Sequence, residues 1–339
     1  MRMKTIVLLW SLSFLFLYCT GGSLRQGGKG SMEMVEDFKK DEFGTNPGNL
    51  AMYRYLPASM PAKAPLVVAL HGCNQDVEAY EAVAEWAVLA EKYKFYLVYP
   101  EQNTANNIAV CFNWFSPAHN ERDKGELKSI RQMIARMQSD FGIDEKQIFI
   151  TGISAGGAMT LAMLASYPEL FASGAVMEAV PYKAADFAPD PFKAMQPGVE
   201  QSAEVWGKAV AKAYPGYKGT YPSVQIFHGT KDYVCVFKNL TEIMKQWTAV
   251  QQIESTPAQE KNINEHVHKI YRNKAGKNVV ETFAVAGLGH MMAVHPGTGK
   301  GQGGQALKPT RKHPLAFAKD VGFYAPYWAL ISWGLASAE

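Results

Sequence analysis

The chain has 339 residues, of which 47% are hydrophobic and 12% aromatic, enough to bury the core of one large domain. Its 34 Lys and Arg against 31 Asp and Glu leave a net charge of +3, spread along the chain with no basic block. That distribution argues against nucleic acid as a partner and implies no domain-scale electrostatic one.

Residues 1–22 have the anatomy of a bacterial export signal: Arg2 and Lys4, an uncharged apolar run from Ile6 to Tyr18, then small residues from Thr20 to Ser23. The run is too short to span a bilayer comfortably. Cleavage after Gly21 or Gly22 competes with cleavage before a lipidated Cys19, against which stands the bulky Tyr18; a lipid on Cys19 is the one membrane contact expected. Residues 23–45, Gly-rich and then charged, read as a flexible tether, and 46–339 as a single domain.

Beyond the tether, apolar runs alternate with amphipathic ones. Leu66–Leu70 predicts a buried strand, Val77–Lys92 a helix and Phe95–Tyr99 a second strand. Lys124–Phe141 carries Leu127, Ile130, Ile134 and Met137 on one helical face. Gln147–Thr151 returns as a strand, Met159–Tyr167 is a helix stopped by Pro168, and Ala172–Met177 is the next strand. Val224–Phe227 and Val279–Val285 are later strands, and a helix lies somewhere between Pro314 and Gly334. The order predicts an α/β fold with a mostly parallel central sheet flanked by helices. Residues 181–221, rich in Pro, Ala and aromatics, form an insertion that reads either as a lid over a cleft or as ordinary helical packing.

The chemistry starts at Gly152-Ile153-Ser154-Ala155-Gly156, placed between a strand-like and a helix-like segment. A Gly-x-Ser-x-Gly in that context makes a sharp turn that presents the serine at a helix N-terminus, where free amides favour developing negative charge. A serine hydroxyl needs a base, and the base needs a carboxylate. In the α/β-hydrolase order Ser, acid, His, the partners are Asp232, in the loop after the Val224 strand, and His290, in the Gly-rich loop after the Val279 strand. Asp186, Asp190 and Glu242 are the alternative acids. Among the other histidines, His266 and His268 alternate in a polar strand-like run and are expected to be exposed, His295 and His313 lie in Pro-rich loops, and His228 ends a strand.

An oxyanion hole is expected from the Ala155 amide and the loop His71-Gly72-Cys73, with the Cys73 amide as the second donor. His71 is expected to organise that loop and to border the substrate. Of four cysteines, Cys19 belongs to the signal; a Cys73–Cys111 bridge with Cys235 left free is favoured over three buried thiols, because both partners sit in loops after strands at one sheet edge. No metal is expected: the histidines lack an H-E-x-x-H spacing, and His266-Val267-His268 is a weak ligand pair.

The runs LVVALHGCNQD, YPEQNTANNIAVCFNWF, GISAGGAM, HGTKDYV and GLGH, in this order from about Pro65 to His290, resemble the catalytic domain of type 1 extracellular polyhydroxybutyrate depolymerases and the related feruloyl and acetylxylan esterases. The resemblance implies an α/β-hydrolase fold, hydrolysis of short-chain polyhydroxyalkanoate esters, the triad Ser154, Asp232 and His290, and no cofactor. It also implies that Trp114 lies near the cleft, with core packing as its alternative role. Two departures bear on substrate. The chain ends at Glu339, where secreted depolymerases usually add a linker and a binding domain, so oligomers, amorphous polymer or small esters are expected over crystalline polymer. Met291 and Met292 stand where relatives often carry a Trp-containing run, which bears on the acyl pocket. Feruloyl or acetylxylan ester hydrolysis is the alternative activity, and a catalytically dead binding protein the remote one.

Overall fold

In the computed structural model of the chain, residues 30–35, 44–188, 190–313 and 315–337 are described; the segment read as an export signal, with Cys19, lies outside the described residues. Ten strands form one sheet: β1 (Ser31–Met34), β2 (Ala51–Leu56), β3 (Ala64–Leu70), β4 (Tyr96–Glu101), β5 (Ile143–Ile153), β6 (Ser173–Met177), β7 (Ser223–Gly229), β8 (Gln259–Ile263), β9 (His266–Arg272) and β10 (Asn278–Val285). Two short strands, β11 (Met292–Val294) and β12 (Ala318–Asp320), pair in parallel apart from it. The helices are α1 (Val77–Ala84), α2 (Trp86–Tyr93), α3 (Pro117–Asn120), α4 (Gly125–Asp140), α5 (Ala155–Ser166), α6 (Pro191–Lys193), α7 (Ala203–Ala211), α8 (Lys238–Val250) and α9 (Ala325–Ser332).

The sheet order is β1-β2-β4-β3-β5-β6-β7-β10-β9-β8. The six strands from β4 to β10 run parallel, and the outer pairs on both sides are antiparallel. Alternation within β3 sorts its residues between two cores. Leu66, Val68 and Leu70 face a cluster with α4, α5, α7 and α8, while Val67 and Ala69 face one with α1, α2 and α9. Every residue of α5 is buried, as expected of a helix apolar on all sides. After β3 the chain moves to β4 on one side and later to β5 on the other, so the C-terminal ends of β3 and β5 flank a topological switch point, the usual place for a ligand crevice.

Several expectations need correction. The helix predicted over 77–92 is two helices, because Glu85 adopts φ 52° between α1 and α2. Its carboxylate there accepts from Gly304 N–H at 2.7 Å and Gln305 Nε2 at 2.8 Å, and the break lets Trp86 bury completely. Part of the expected tether is ordered: β1 pairs antiparallel with β2, and Glu33 binds Arg54 at 2.5 Å. His266 and His268 are buried, not exposed, because β9 lies between β8 and β10 and Phe323 and Phe283 cover it. There His268 Nε2 meets Glu281 Oε2 at 2.7 Å, and His266 Nδ1 accepts from Ala286 N–H at 3.1 Å. The helix after Ser154 begins at Ala155 instead of Met159; two glycines in its first turn weaken the periodic signal without stopping the helix.

Candidate active site

Ser154 joins β5 to α5 with φ 55° and ψ −121°, a conformation an L residue rarely holds without support. The support is local. Ser154 N–H donates to Met177 O at 2.8 Å. A Cβ on Gly156 would stand 2.4 Å from His71 O and 2.5 Å from Leu70 O, and one on Gly152 would stand 2.4 Å from Gly156 O. Only glycine lets α5 approach the end of β3 this closely, which is the physical content of the two motif glycines.

The side chains of Asp232 and His290 reach Ser154 from the loops after β7 and β10, which are parallel neighbours in the sheet. Backbone bonds lace these loops together: Thr230 N–H to Val285 O at 3.0 Å and Lys231 N–H to Leu288 O at 2.9 Å. Gly287 N–H also donates to Thr230 Oγ1 at 3.0 Å. The result is a continuous chain in which the Ser154 hydroxyl donates to His290 Nε2 at 2.8 Å and His290 Nδ1 donates to Asp232 Oδ2 at 2.7 Å. Asp232 Oδ1 accepts from the Val234 and Cys235 amides at 2.8 and 2.9 Å. Burial opposes its ionisation, but hydrogen bonds from His228 and His290 outweigh that and hold its pKa well below the usual carboxylate range. Asp232 is therefore ionised, and the order hydroxyl, imidazole, carboxylate fits proton removal from the serine.

The other acids considered for this role are engaged elsewhere. Glu242 accepts from Trp206 Nε1 at 2.8 Å and pairs with Lys245, Asp186 lies 3.7 Å from Lys183, and Asp190 caps Lys193 N–H at 3.1 Å.

Cys73 and Ala155 line, with Ser154, a cavity of about 500 Å³ whose other walls include Ile108, Trp114, Phe115, Val180, Phe192 and Met195. None of its lining residues carries a formal charge. Cys73 is bridged to Cys111, and Asn74 N–H donates to Ala109 O at 2.8 Å, so the loop after β3 and the loop after β4 are one body. A polar network holds that body on α4. Glu126, fully buried, accepts from Asn113 N–H at 2.8 Å and from Asn113 Nδ2 and Gln102 Nε2 at 2.6 and 2.7 Å.

Trp114 is only 8% exposed yet forms part of the cavity wall, packed edge-on against Phe115. His71 does not reach the cavity. It is buried, donates from Nδ1 to Gly72 O at 2.7 Å and accepts at Nε2 from Gln102 N–H at 3.0 Å. Burial lowers its pKa to about 4, so it is neutral, a fastener between two loops and not a substrate contact. Met291 and Met292 also lie off the cavity, because the chain after His290 turns into β11 and takes them to the opposite core cluster.

From the insertion expected at 181–221, Pro191, Phe192 and Met195 line the cavity, while Trp206 is fully buried; the segment both borders the cleft and packs. A larger cavity of about 640 Å³, bordered by Arg122, Lys183 and Phe187, holds no nucleophile and base together. Val180 and Met195 carry no motif, and only proximity in the folded chain marks them as cavity residues.

Among the described residues, Glu178, His228 and Asp232 bring ligand-type atoms within 4.8 Å of one another. Each already has protein partners: the Gly229 amide at Glu178, Cys235 O at His228 Nε2, and two amides and His290 at Asp232.

A family model described as "Esterase PHB depolymerase" matches residues 50–272, a span that contains Ser154 and Asp232. The chain is 44% identical over 264 residues to poly(3-hydroxyalkanoate) depolymerase C of Paucimonas lemoignei, a match covering 78% of this chain and 64% of that protein's length. It is 30% identical to feruloyl esterase B of Talaromyces funiculosus, covering 74% and 72% of the two chains. To a probable acetylxylan esterase A of Aspergillus fumigatus it is 32% identical, covering 78% and 71%. The solved acetyl xylan esterase from Aspergillus awamori superposes with a TM-score of 0.70 at 29% identity, over 77% of this chain and 94% of that one.

Proposed function

The chain belongs to the PHB depolymerase family of α/β-hydrolase esterases, and from that premise we propose that it hydrolyses short-chain polyhydroxyalkanoate esters through an acyl-enzyme on Ser154. The observation that carries this reading is the unbroken Ser154–His290–Asp232 hydrogen-bond chain at the wall of an uncharged cavity. His290 removes the Ser154 proton as the hydroxyl oxygen attacks the ester carbonyl carbon. The Cys73 and Ala155 amides hold the oxyanion, where the α5 N-terminus adds its partial positive charge. Asp232 fixes the imidazole tautomer and stabilises its charged form. His290 then gives the proton to the leaving alcohol, and a water deprotonated by the same imidazole releases the acid from Ser154.

The cavity volume of about 500 Å³ suits a few short aliphatic ester units, which carry no charge to desolvate. Soluble 3-hydroxybutyrate oligomers or chains of amorphous polymer can thread into it, whereas a crystalline surface must first release a chain. A second reading, deacetylation of xylan or release of ferulate, is favoured by the close superposition on the acetyl xylan esterase. Export is part of the proposal and is supported by the signal-like residues 1–22 and by a disulfide, which persists in oxidising compartments.

A substrate panel with Ser154→Ala as the blank tests the reading: 3-hydroxybutyrate trimer, amorphous polymer, crystalline granules, acetylated xylan and methyl ferulate. Trimer and amorphous polymer should be turned over fastest. Higher kcat/KM on acetylated xylan or methyl ferulate would replace the depolymerase reading with the second one, and equal rates on granules and trimer would remove the preference for released chains.

A further inference from the structure

Behind the proposed acid Asp232 sits a second carboxyl group to which the mechanism above gives no role. Glu178 follows β6, is 1% exposed, and holds φ 51°, a left-handed backbone unusual for glutamate. Its N–H donates to Phe227 O at 3.0 Å, which keeps it in register beside β7. Both its carboxyl oxygens lie 3.0 Å from the Gly229 amide, and one of them lies within 4.8 Å of an Asp232 oxygen, the two carboxyl groups converging on His228 Nε2 at 3.6 and 3.4 Å. Two buried carboxyl groups this close cannot both carry a charge, so a proton sits on one of them.

The titratable groups around this pair decide which one holds it. They are His228 on β7, Asp232 and Cys235 on the following loop, and His290 beyond Asp232. His228 Nε2 lies 2.7 Å from Cys235 O, which can only accept, so this nitrogen carries a hydrogen. Its Nδ1 is buried with no hydrogen-bond partner among the described residues. Asp232 collects two backbone amides and His290, whereas Glu178 collects one amide. The negative charge therefore resides on Asp232.

We propose that Glu178 is a positioning residue for the ester-hydrolysing site: as a neutral carboxylic acid it donates its hydrogen to the Asp232 carboxylate, holding that group in place and moderating its basicity toward His290. The inference rests on the triad proposed above. Burial, followed by the hydrogen bond to Asp232, pushes Glu178 well above the ordinary carboxylate range, in agreement with this assignment. Two carboxylates within 4.8 Å of each other and away from water cannot both ionise, so the pair carries one charge.

The test compares Glu178→Gln and Glu178→Leu in the whole enzyme, reading the acid limb of the pH profile of kcat/KM on a soluble ester. Glutamine keeps a donor toward Asp232 and a carbonyl toward Gly229, so the limb should stay within about 0.3 unit of its original position. Leucine removes the donor. Asp232 then holds the His290 proton more tightly, the limb should move up by roughly half a unit or more, and kcat should fall at least tenfold. Recovery of most of that loss by glutamine marks a hydrogen-bonding role and not mere filling of space.

An acid limb that moves down in Glu178→Gln means that an ionised Glu178 was supporting His290, and overturns the proposal. An unmoved limb in a folded Glu178→Leu does so as well. A readout independent of activity covers failure of the leucine variant to fold, and also failure of the triad itself. At neutral pH the infrared spectrum of the parent protein should contain a protonated carboxyl C=O band that is missing from Glu178→Gln, and a difference spectrum without that band refutes the neutral acid.

Discussion

At the scale of single residues, the proposed mechanism depends first on the hydroxyl of Ser154. Ser154→Ala should lower kcat/KM on a soluble ester by about 10³-fold or more, leaving only what binding and the oxyanion donors supply. The melting temperature should move by no more than a degree or two, because the hydroxyl's one bond is to the partly buried His290 and the backbone geometry rests on Gly152 and Gly156. Turnover above a few per cent would move the nucleophile elsewhere. The proposed roles of Ser154, Asp232 and His290 were all legible in the sequence, since each stands at a strand end inside a recognisable run. His71 illustrates the opposite case: proximity to the oxyanion loop suggested a substrate contact, but its side chain turns inward to tie Gln102 to Gly72.

At the scale of elements, the turn between β5 and α5 and the body formed by the loops after β3 and β4 set the geometry. Gly156→Ala drives a methyl group into the Leu70 and His71 carbonyls, main-chain atoms of a central strand and its loop that cannot step aside. It should cost about 2–3 kcal/mol in urea unfolding and lower kcat by at least tenfold, since the same shift moves Ala155 away from Cys73. Retained stability would mean that α5 can slide.

The second element has a pH signature. Burial pushes Glu126 up to about 7 from the usual 4.5, with the Asn113 and Gln102 bonds only partly opposing it. The native state therefore keeps a proton that the unfolded chain releases near 4.5, so this group's stabilising contribution is complete below that pH and is lost as pH rises through about 7. The loss amounts to roughly 3 kcal/mol at most. Glu126→Gln, which cannot ionise, should flatten the fall of unfolding free energy between about pH 5 and 8 while costing about 1–2 kcal/mol overall, because its amide meets donors from Asn113. An unchanged slope would assign the pH dependence to another group, with Glu81, also raised to about 7, as the next to test.

At the scale of the whole molecule, the Cys73–Cys111 bridge spans 38 positions and joins the proposed oxyanion loop to the segment that carries Trp114. Closing a loop of that length removes unfolded-chain entropy worth about 4 kcal/mol at 25 °C. Cys111→Ser in a Cys73→Ser background should lower the unfolding free energy by about 2–4 kcal/mol, and reductant should give the same shift in the parent protein. Activity should fall further than stability alone explains, because the Cys73 amide loses its anchor. Equal activity in the folded, reduced enzyme would show that the Asn74–Ala109 bond and the Glu126 network suffice.

The sequence by itself determined the local features of this protein. Strand periodicity and the Gly-x-Ser-x-Gly turn are encoded in contiguous residues, and the order of Ser154, Asp232 and His290 and the family runs are read along the chain. Backbone sterics and side-chain alternation act over a few residues, which is why a linear reading reaches them. Tertiary structure alone decided what depends on distant segments meeting. Glu178 acquires a partner only because β6 and β7 are neighbours, and His266 and His268 are buried only because β8 and β10 flank them. Met292 leaves the cleft because β11 pairs with β12. Charge and burial are properties of an environment assembled from separate parts of the chain, so the ionisation and exposure of such residues become definite only when those parts are packed.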